Sequence, residues 1–434
     1  MNSYIVTGSD WLKSFLINLK GRIWFVPSVY SLLSLIMAFV TIMIDYYWAA
    51  SMKEYLPPFM MTKIDLAQTV LSTIAGSLLT MTTFTFSTVM VVLTTYSSQF
   101  SPRALKHFVN DKKTVRGLGV FMGGFIYSIT TLLFMRDTPN EEFVIASFFG
   151  VLYAIVCLAY FAYFIHHVAT SIQISSLIGR LEKDAMKIVN FYKELQKNNV
   201  VQEQKKDPGQ FLNKKEVCSK KSGFLQFVDY EGLLECSEKN GLFIDFEIKV
   251  GNFIRKGQPL YTIYSQKESI EDLSEYLSFG SERMGKYDLE FSLQRISEIA
   301  VRAVSPSIND PNTARDCIRY LGVLLGDTAE LNDGHLTMVG KDTEPRVRIP
   351  FFEFDRMLYK SYYQIVHYAK QDVSVILALL EAMVIIQKEM PEGRQETVYS
   401  FHEYILQNIN KEEMHKWDLQ FLNEKINELE GEMK

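Results

Sequence analysis

Apolar positions form four long unbroken runs in the first 170 residues and only short, interrupted ones afterwards. The longest, 66–102, holds 37 residues without one Asp, Glu, Lys, Arg or His. An uncharged apolar run of about 20 residues is enough for a membrane-spanning helix. At about 1.5 Å per residue this run reaches roughly 55 Å, against a hydrocarbon core near 30 Å. It must tilt, bend (Gly76 is the hinge candidate) or project into water. The other three runs, 23–44, 117–135 and 143–165, predict a first, third and fourth span. Pro27 sits near the start of the first, where a proline disturbs a helix least.

Periodicity changes after the fourth run. Residues 170–195 place Ile172, Leu177, Leu181, Ile188 and Tyr192 among charges, an amphipathic helix. Residues 197–215 are polar with an internal Pro-Gly and read as a linker. Short β-type runs follow at 223–230, 242–250 and 258–264, punctuated by Gly241, Gly251 and Gly257. From Ser269 the pattern is helical, with a hairpin at 338–349 and two amphipathic helices at 353–388 and 396–430. Ahead of the first span, Trp11, Phe15 and Leu19 line one face of a short surface helix.

The expected fold is therefore an α-helical integral membrane protein with four transmembrane helices and a cytosolic α+β portion. Its segments are an amphipathic start (1–22), a four-helix membrane domain (23–169), a connecting helix and linker (170–215), a small β module (216–268) and a helical domain (269–434). Lys and Arg set the orientation. Three precede the first span and five (Arg103, Lys106, Lys112, Lys113, Arg116) lie between the second and third, against two and one in the alternate loops. The positive-inside rule then puts both termini in the cytoplasm.

Composition adds mainly exclusions. A net charge of −5 with no Lys/Arg-rich tract gives no basic patch and speaks against nucleic acid. The four cysteines are scattered without metal-ligand spacing, so no metal or disulfide frame is expected. No nucleophile–base pair, phosphate loop or dinucleotide fingerprint occurs, so no catalytic residue and no cofactor is assigned. No span carries an interior ionisable side chain, which argues against coupled transport.

What stands out is hydroxyl content. Residues 66–102 carry fifteen Ser and Thr, and Thr69, Thr73, Ser77, Thr80, Thr83, Ser87, Thr94 and Ser98 recur on one helical stripe. Such a stripe can hydrogen-bond to neighbouring helices or line a wet, uncharged path. In the second case Thr73, Ser77, Thr80, Thr83, Ser87 and Thr94 line the path of a homo-oligomer, and Arg103, Lys106, Lys112, Lys113 and Arg116 charge its cytoplasmic mouth. The runner-up is a membrane-anchored scaffold or sensor that binds a cytosolic protein or ligand. Gly119 and Gly123 form a GxxxG pair in the third span, a device for close helix approach. Further on, Asn309, Asp310 and Pro311 read as a structural corner, with Asp310 capping the helix that Pro311 opens.

The phrase Ile248-Lys-Val-Gly-Asn-Phe-Ile-Arg-Lys-Gly-Gln-Pro-Leu resembles the hairpin of biotinyl/lipoyl-like barrel-sandwich domains. Lys267 holds the place that carriers modify, but Tyr264-Ser265-Gln266 replaces their Glu-Ala-Met, so it is expected unmodified. On a larger scale, Ser97-Ser-Gln-Phe-Ser-Pro-Arg, Gly119-Val-Phe-Met-Gly-Gly-Phe-Ile-Tyr, His166-His-Val-Ala-Thr-Ser-Ile-Gln and Arg302-Ala-Val-Ser-Pro-Ser-Ile-Asn-Asp-Pro-Asn-Thr-Ala resemble the DUF2254 family of bacterial predicted membrane proteins. Asn252 replaces a usual Asp and Val304 a common Leu. The resemblance implies a four-span protein of the bacterial inner membrane and leaves function open.

Overall fold

A computed structural model describes residues 24–52, 57–99, 112–135, 143–171, 173–199, 211–266, 273–331, 334–341 and 344–432. The chain divides into two compact units, the first ending at Gln173 and the second starting at Ile174. The surface helix expected before the first span, together with Arg103, Lys106 and Lys267, lies outside the described residues.

The first unit contains helices α1 (Phe25–Met52), α2 (Ile64–Gln99), α3 (Lys112–Phe134) and α4 (Ala146–Ser171). Each has a stretch long and apolar enough to cross a membrane: Phe25–Tyr47, Ile64–Thr95, Lys113–Phe134 and Ala146–Thr170. Charge marks where a span can leave the lipid, not where its helix stops. Helix α3 accordingly starts at Lys112, five residues before the uncharged run. A two-stranded ladder, β1 (Thr62–Lys63) against β2 (Phe143–Val144), joins the start of α2 to the approach to α4.

Helix α3 is the hub. It packs against α1, α2 and α4. Half of its apolar stretch is buried, against 17–22% in the other three. Its centre fills a cluster of Leu78, Val120, Phe121 and Cys157. Next along the bundle come Ala38, Leu71 and Tyr127, then Ile64, Ala67 and Val144 near the ladder.

The second unit opens with α5 (Ile174–Asn199), whose Leu177, Ile178, Leu181, Ala185, Ile188, Val189 and Tyr192 are buried in the i, i+3, i+4 rhythm of an amphipathic helix. Two open sheets follow. The larger has the order β3 (Asn213–Cys218), β7 (Pro259–Ser265), β5 (Phe243–Phe246), β10 (Pro345–Pro350), β9 (His335–Val339). The smaller is β6 (Phe253–Ile254), β4 (Gly223–Val228), β8 (Leu277–Gly280). All pairs are antiparallel except β5 with β10. Among the described residues no closed barrel forms, and the larger sheet takes β9 and β10 from far along the chain.

Three local expectations need correction. The polar stretch read as linker ends in strand β3, which pairs with β7 over its whole length. Between the β-type runs lies a helix, α6 (Tyr230–Asn240), capped by Asp229 and closed by Gly241 in the left-handed conformation. The two long terminal helices are four: α9 (Phe354–Tyr368), α10 (Val373–Glu389), α11 (Gln395–Gln407) and α12 (Lys416–Glu432). The first break is made by Asp372, whose carboxylate accepts from the Ser374 and Val375 amides and starts a new helix. Preceding these are α7 (Leu289–Ala303), capped by Asp288, and α8 (Pro311–Thr328), capped by Asp310.

Candidate functional site

The stripe of α2 faces outward. Ile64, Ala67, Leu71, Ala75, Leu78 and Val92 bury one side of the helix against the bundle. Thr69, Thr73, Ser77, Thr80, Thr83, Ser87 and Thr94 are all exposed on the opposite side. Six of the seven are satisfied within their own helix. Thr69, Thr73, Ser77, Thr80, Thr83 and Thr94 each donate to the carbonyl four residues back, at 2.8–3.0 Å. A hydroxyl bonded in this way spends its proton on the backbone and leaves its lone pairs outward. The result is a row of acceptor oxygens about seven turns long, with Gly76 opening a gap that no neighbouring atom fills within 4 Å. Leu79, Phe86 and Met90 flank it as exposed apolar side chains. Among the described residues, then, the stripe does not serve as interhelical packing.

Interhelical polar packing occurs instead where α1, α3 and α4 meet. A Cβ on Gly123 would lie 2.5 Å from Ser34 Oγ, 2.6 Å from Tyr153 Oη and 3.3 Å from the Tyr30 carbonyl oxygen. A Cβ on Gly119 would lie 3.2 Å from Pro27 Cα. The GxxxG pair therefore lets α1 close onto α3. Ser34 and Tyr153 hydroxyls are hydrogen-bonded at 3.0 Å across α1 and α4. Tyr127, fully buried, donates to the Ala146 carbonyl at 2.9 Å. Asp45 at the end of the first span accepts from the Ile145 and Ala146 amides at 2.8 and 3.1 Å, capping α4 from another helix. In the sequence Asp45 simply follows the uncharged run 23–44. The signal was present in Ser31, Ser34, Thr41 and Asp45, which share a face of α1 with Ala38 between them.

Of the basic residues assigned to the mouth, Lys113 and Arg116 are exposed within the first two turns of α3. Lys113 Nζ sits 5.7 Å over the Tyr163 ring, and Lys112 begins the helix.

In the second unit, Asp310 Oδ1 accepts from the Thr313 amide at 3.1 Å and Oδ2 from the Thr313 hydroxyl at 2.6 Å. Pro311 stands at the first turn of α8. Asn309 has φ +50°, the left-handed conformation that Asn tolerates better than most residues. The corner also edges an open cleft of about 500 Å³, whose far wall includes Tyr368, Asp372 and Ser374.

Four helices long and apolar enough to cross a membrane, joined by a polar seam and followed by a two-sheet unit, are the features of a predicted membrane protein. The chain belongs to the DUF2254 family, described as "Predicted membrane protein", which it matches over residues 20–384. Similar proteins include an uncharacterized protein of Mycobacterium bovis and uncharacterized proteins of two Mycobacterium tuberculosis strains. Each is 26% identical over 404 residues, covering 88% of this chain and 75% of the relative. No solved structure matches the chain significantly.

Proposed function

We propose that the protein is a homo-oligomeric channel of the bacterial inner membrane, with α2 of each subunit turned toward a common axis. One observation carries the reading: a charge-free span presents Thr69, Thr73, Ser77, Thr80, Thr83, Ser87 and Thr94 on the face that its own bundle leaves uncovered. Oxygen lone pairs can replace part of an ion's hydration without fixing a charge in the membrane. With the protons of six of the seven turned to the backbone, these hydroxyls favour cations within the span. The basic residues Arg103, Lys106, Lys112, Lys113 and Arg116 favour anions at their mouth, which the positive-inside rule assigns to the cytoplasm along with both termini. No enzymatic step forms part of this reading.

Purified protein in planar bilayers is expected to pass current, and Thr80→Phe or Ser87→Phe to narrow it. Neutralising Arg103 and Lys106 is expected to shift the reversal potential toward cations. Cysteines placed in 48–62 should react with impermeant reagents from outside, and those placed near 108–113 should not. A monomeric mass in detergent, or silent bilayers from verified oligomers, overturns the channel. The cleft beside Asn309 and Asp372 then favours the second reading, a membrane-anchored scaffold or sensor for a ligand or protein.

A further inference from the structure

The sequence shows no basic tract, yet folding builds one. Strand β3 pairs with β7 and β4 pairs with β6, so the loops joining β3 to β4 (219–222) and β6 to β7 (255–258) run side by side. They are fastened to each other. The Ser219 amide donates to the Gln258 carbonyl at 2.9 Å, the Gly257 amide to the Ser219 carbonyl at 2.8 Å, and the Lys256 amide to Ser222 Oγ at 2.9 Å. Every charged residue in the two loops is basic: Lys220, Lys221, Arg255 and Lys256, all exposed. Lys214 and Lys215 on edge strand β3 extend the positive surface, while Glu216 and Glu247 adjoin Cys218 at its margin. Two residues before Arg255, Phe253 is 56% exposed and stacks edge-on against Phe224 at 5.1 Å.

We infer that this paired loop docks on an anionic lipid surface. A rigid cluster of four cations beside a projecting aromatic ring matches the chemistry of a bilayer interface, where phosphates attract the cations and the ring enters the headgroup layer. The occupant follows from the rest of the chain. Four apolar spans hold this unit permanently near a bilayer, so even a weak contact is populated through high effective concentration. Sequence reading missed the patch because its two basic pairs stand 34 residues apart and only the strand register joins them.

Cys218, at the patch margin, is exposed, whereas Cys157, Cys236 and Cys317 are buried, so it can carry a polarity-sensitive fluorophore in the full-length chain. In nanodiscs containing about 30% phosphatidylglycerol, label emission is expected to shift to the blue and aqueous quenching to fall roughly twofold relative to pure phosphatidylcholine discs. About 0.5 M salt should remove the difference, since screening then acts over only a few ångströms. The combined variant Lys220→Glu, Lys221→Glu, Arg255→Glu, Lys256→Glu should lose it as well. Phe253→Ser should reduce the blue shift while keeping the salt dependence. Identical emission in both discs, or a shift that survives charge reversal in folded protein, overturns the inference. So does an equal shift produced by inorganic phosphate or a single-stranded oligonucleotide in pure phosphatidylcholine discs.

Discussion

Two regions of the membrane unit are rich in hydroxyls and use them in opposite ways. In the seam between α1, α3 and α4, Ser34 meets Tyr153, Tyr127 meets the Ala146 carbonyl, and Gly123 leaves no room for a side chain. On the outer face of α2, six of the seven stripe hydroxyls from Thr69 to Thr94 bond to their own helix, and Gly76 faces open space. Back-bonding makes a hydroxyl self-sufficient, so a Ser/Thr stripe by itself demands no protein partner. Close approach is reported by glycine. The seam is specified by steric fit, whereas among the described residues the stripe stays exposed and self-bonded.

The sharpest way to break this contrast is to fill the seam. Gly123→Leu should lower stability in detergent by about 3 kcal/mol, because the Tyr30 carbonyl cannot rotate away as Ser34 and Tyr153 can. Asp45→Ala should come next, at about 2 kcal/mol, by leaving the Ile145 and Ala146 amides without their charged acceptor. Ser34→Ala should cost about 1 kcal/mol through the lost bond to Tyr153. On α2 the sign should reverse. Gly76→Ala should stabilise by roughly 0.5 kcal/mol, since a methyl there meets nothing and alanine favours the helix. Thermal unfolding in one detergent can rank all four. A Gly76→Ala variant as damaging as Gly123→Leu would mean that the α2 face is already packed, against a second copy.

Part of this contrast is legible in the sequence itself. The uncharged run over 66–102 announced α2, and Gly241, Gly251 and Gly257 marked turns where φ is +64°, +93° and +84°. The GxxxG pair pointed to close packing, though not to its partner. What stayed hidden depends on distant pairing. Asp45 reads as an ordinary interfacial charge until α4 arrives 100 residues later. Strand β5 gives no hint that β10 will lie parallel beside it. The outward aim of the stripe was also undetermined, because helical periodicity fixes which residues share a face but not what that face meets.

Asp45 has a mechanical consequence. It fastens the end of the first span to the start of α4, and the β1–β2 ladder fastens the start of α2 within two residues of the same point. Three helices thus share one fulcrum. Helix α2 runs 36 residues from it, a lever arm of about 54 Å. A rotation of about 5° at the fulcrum carries the far end of α2 through roughly 5 Å, the length of one helical turn.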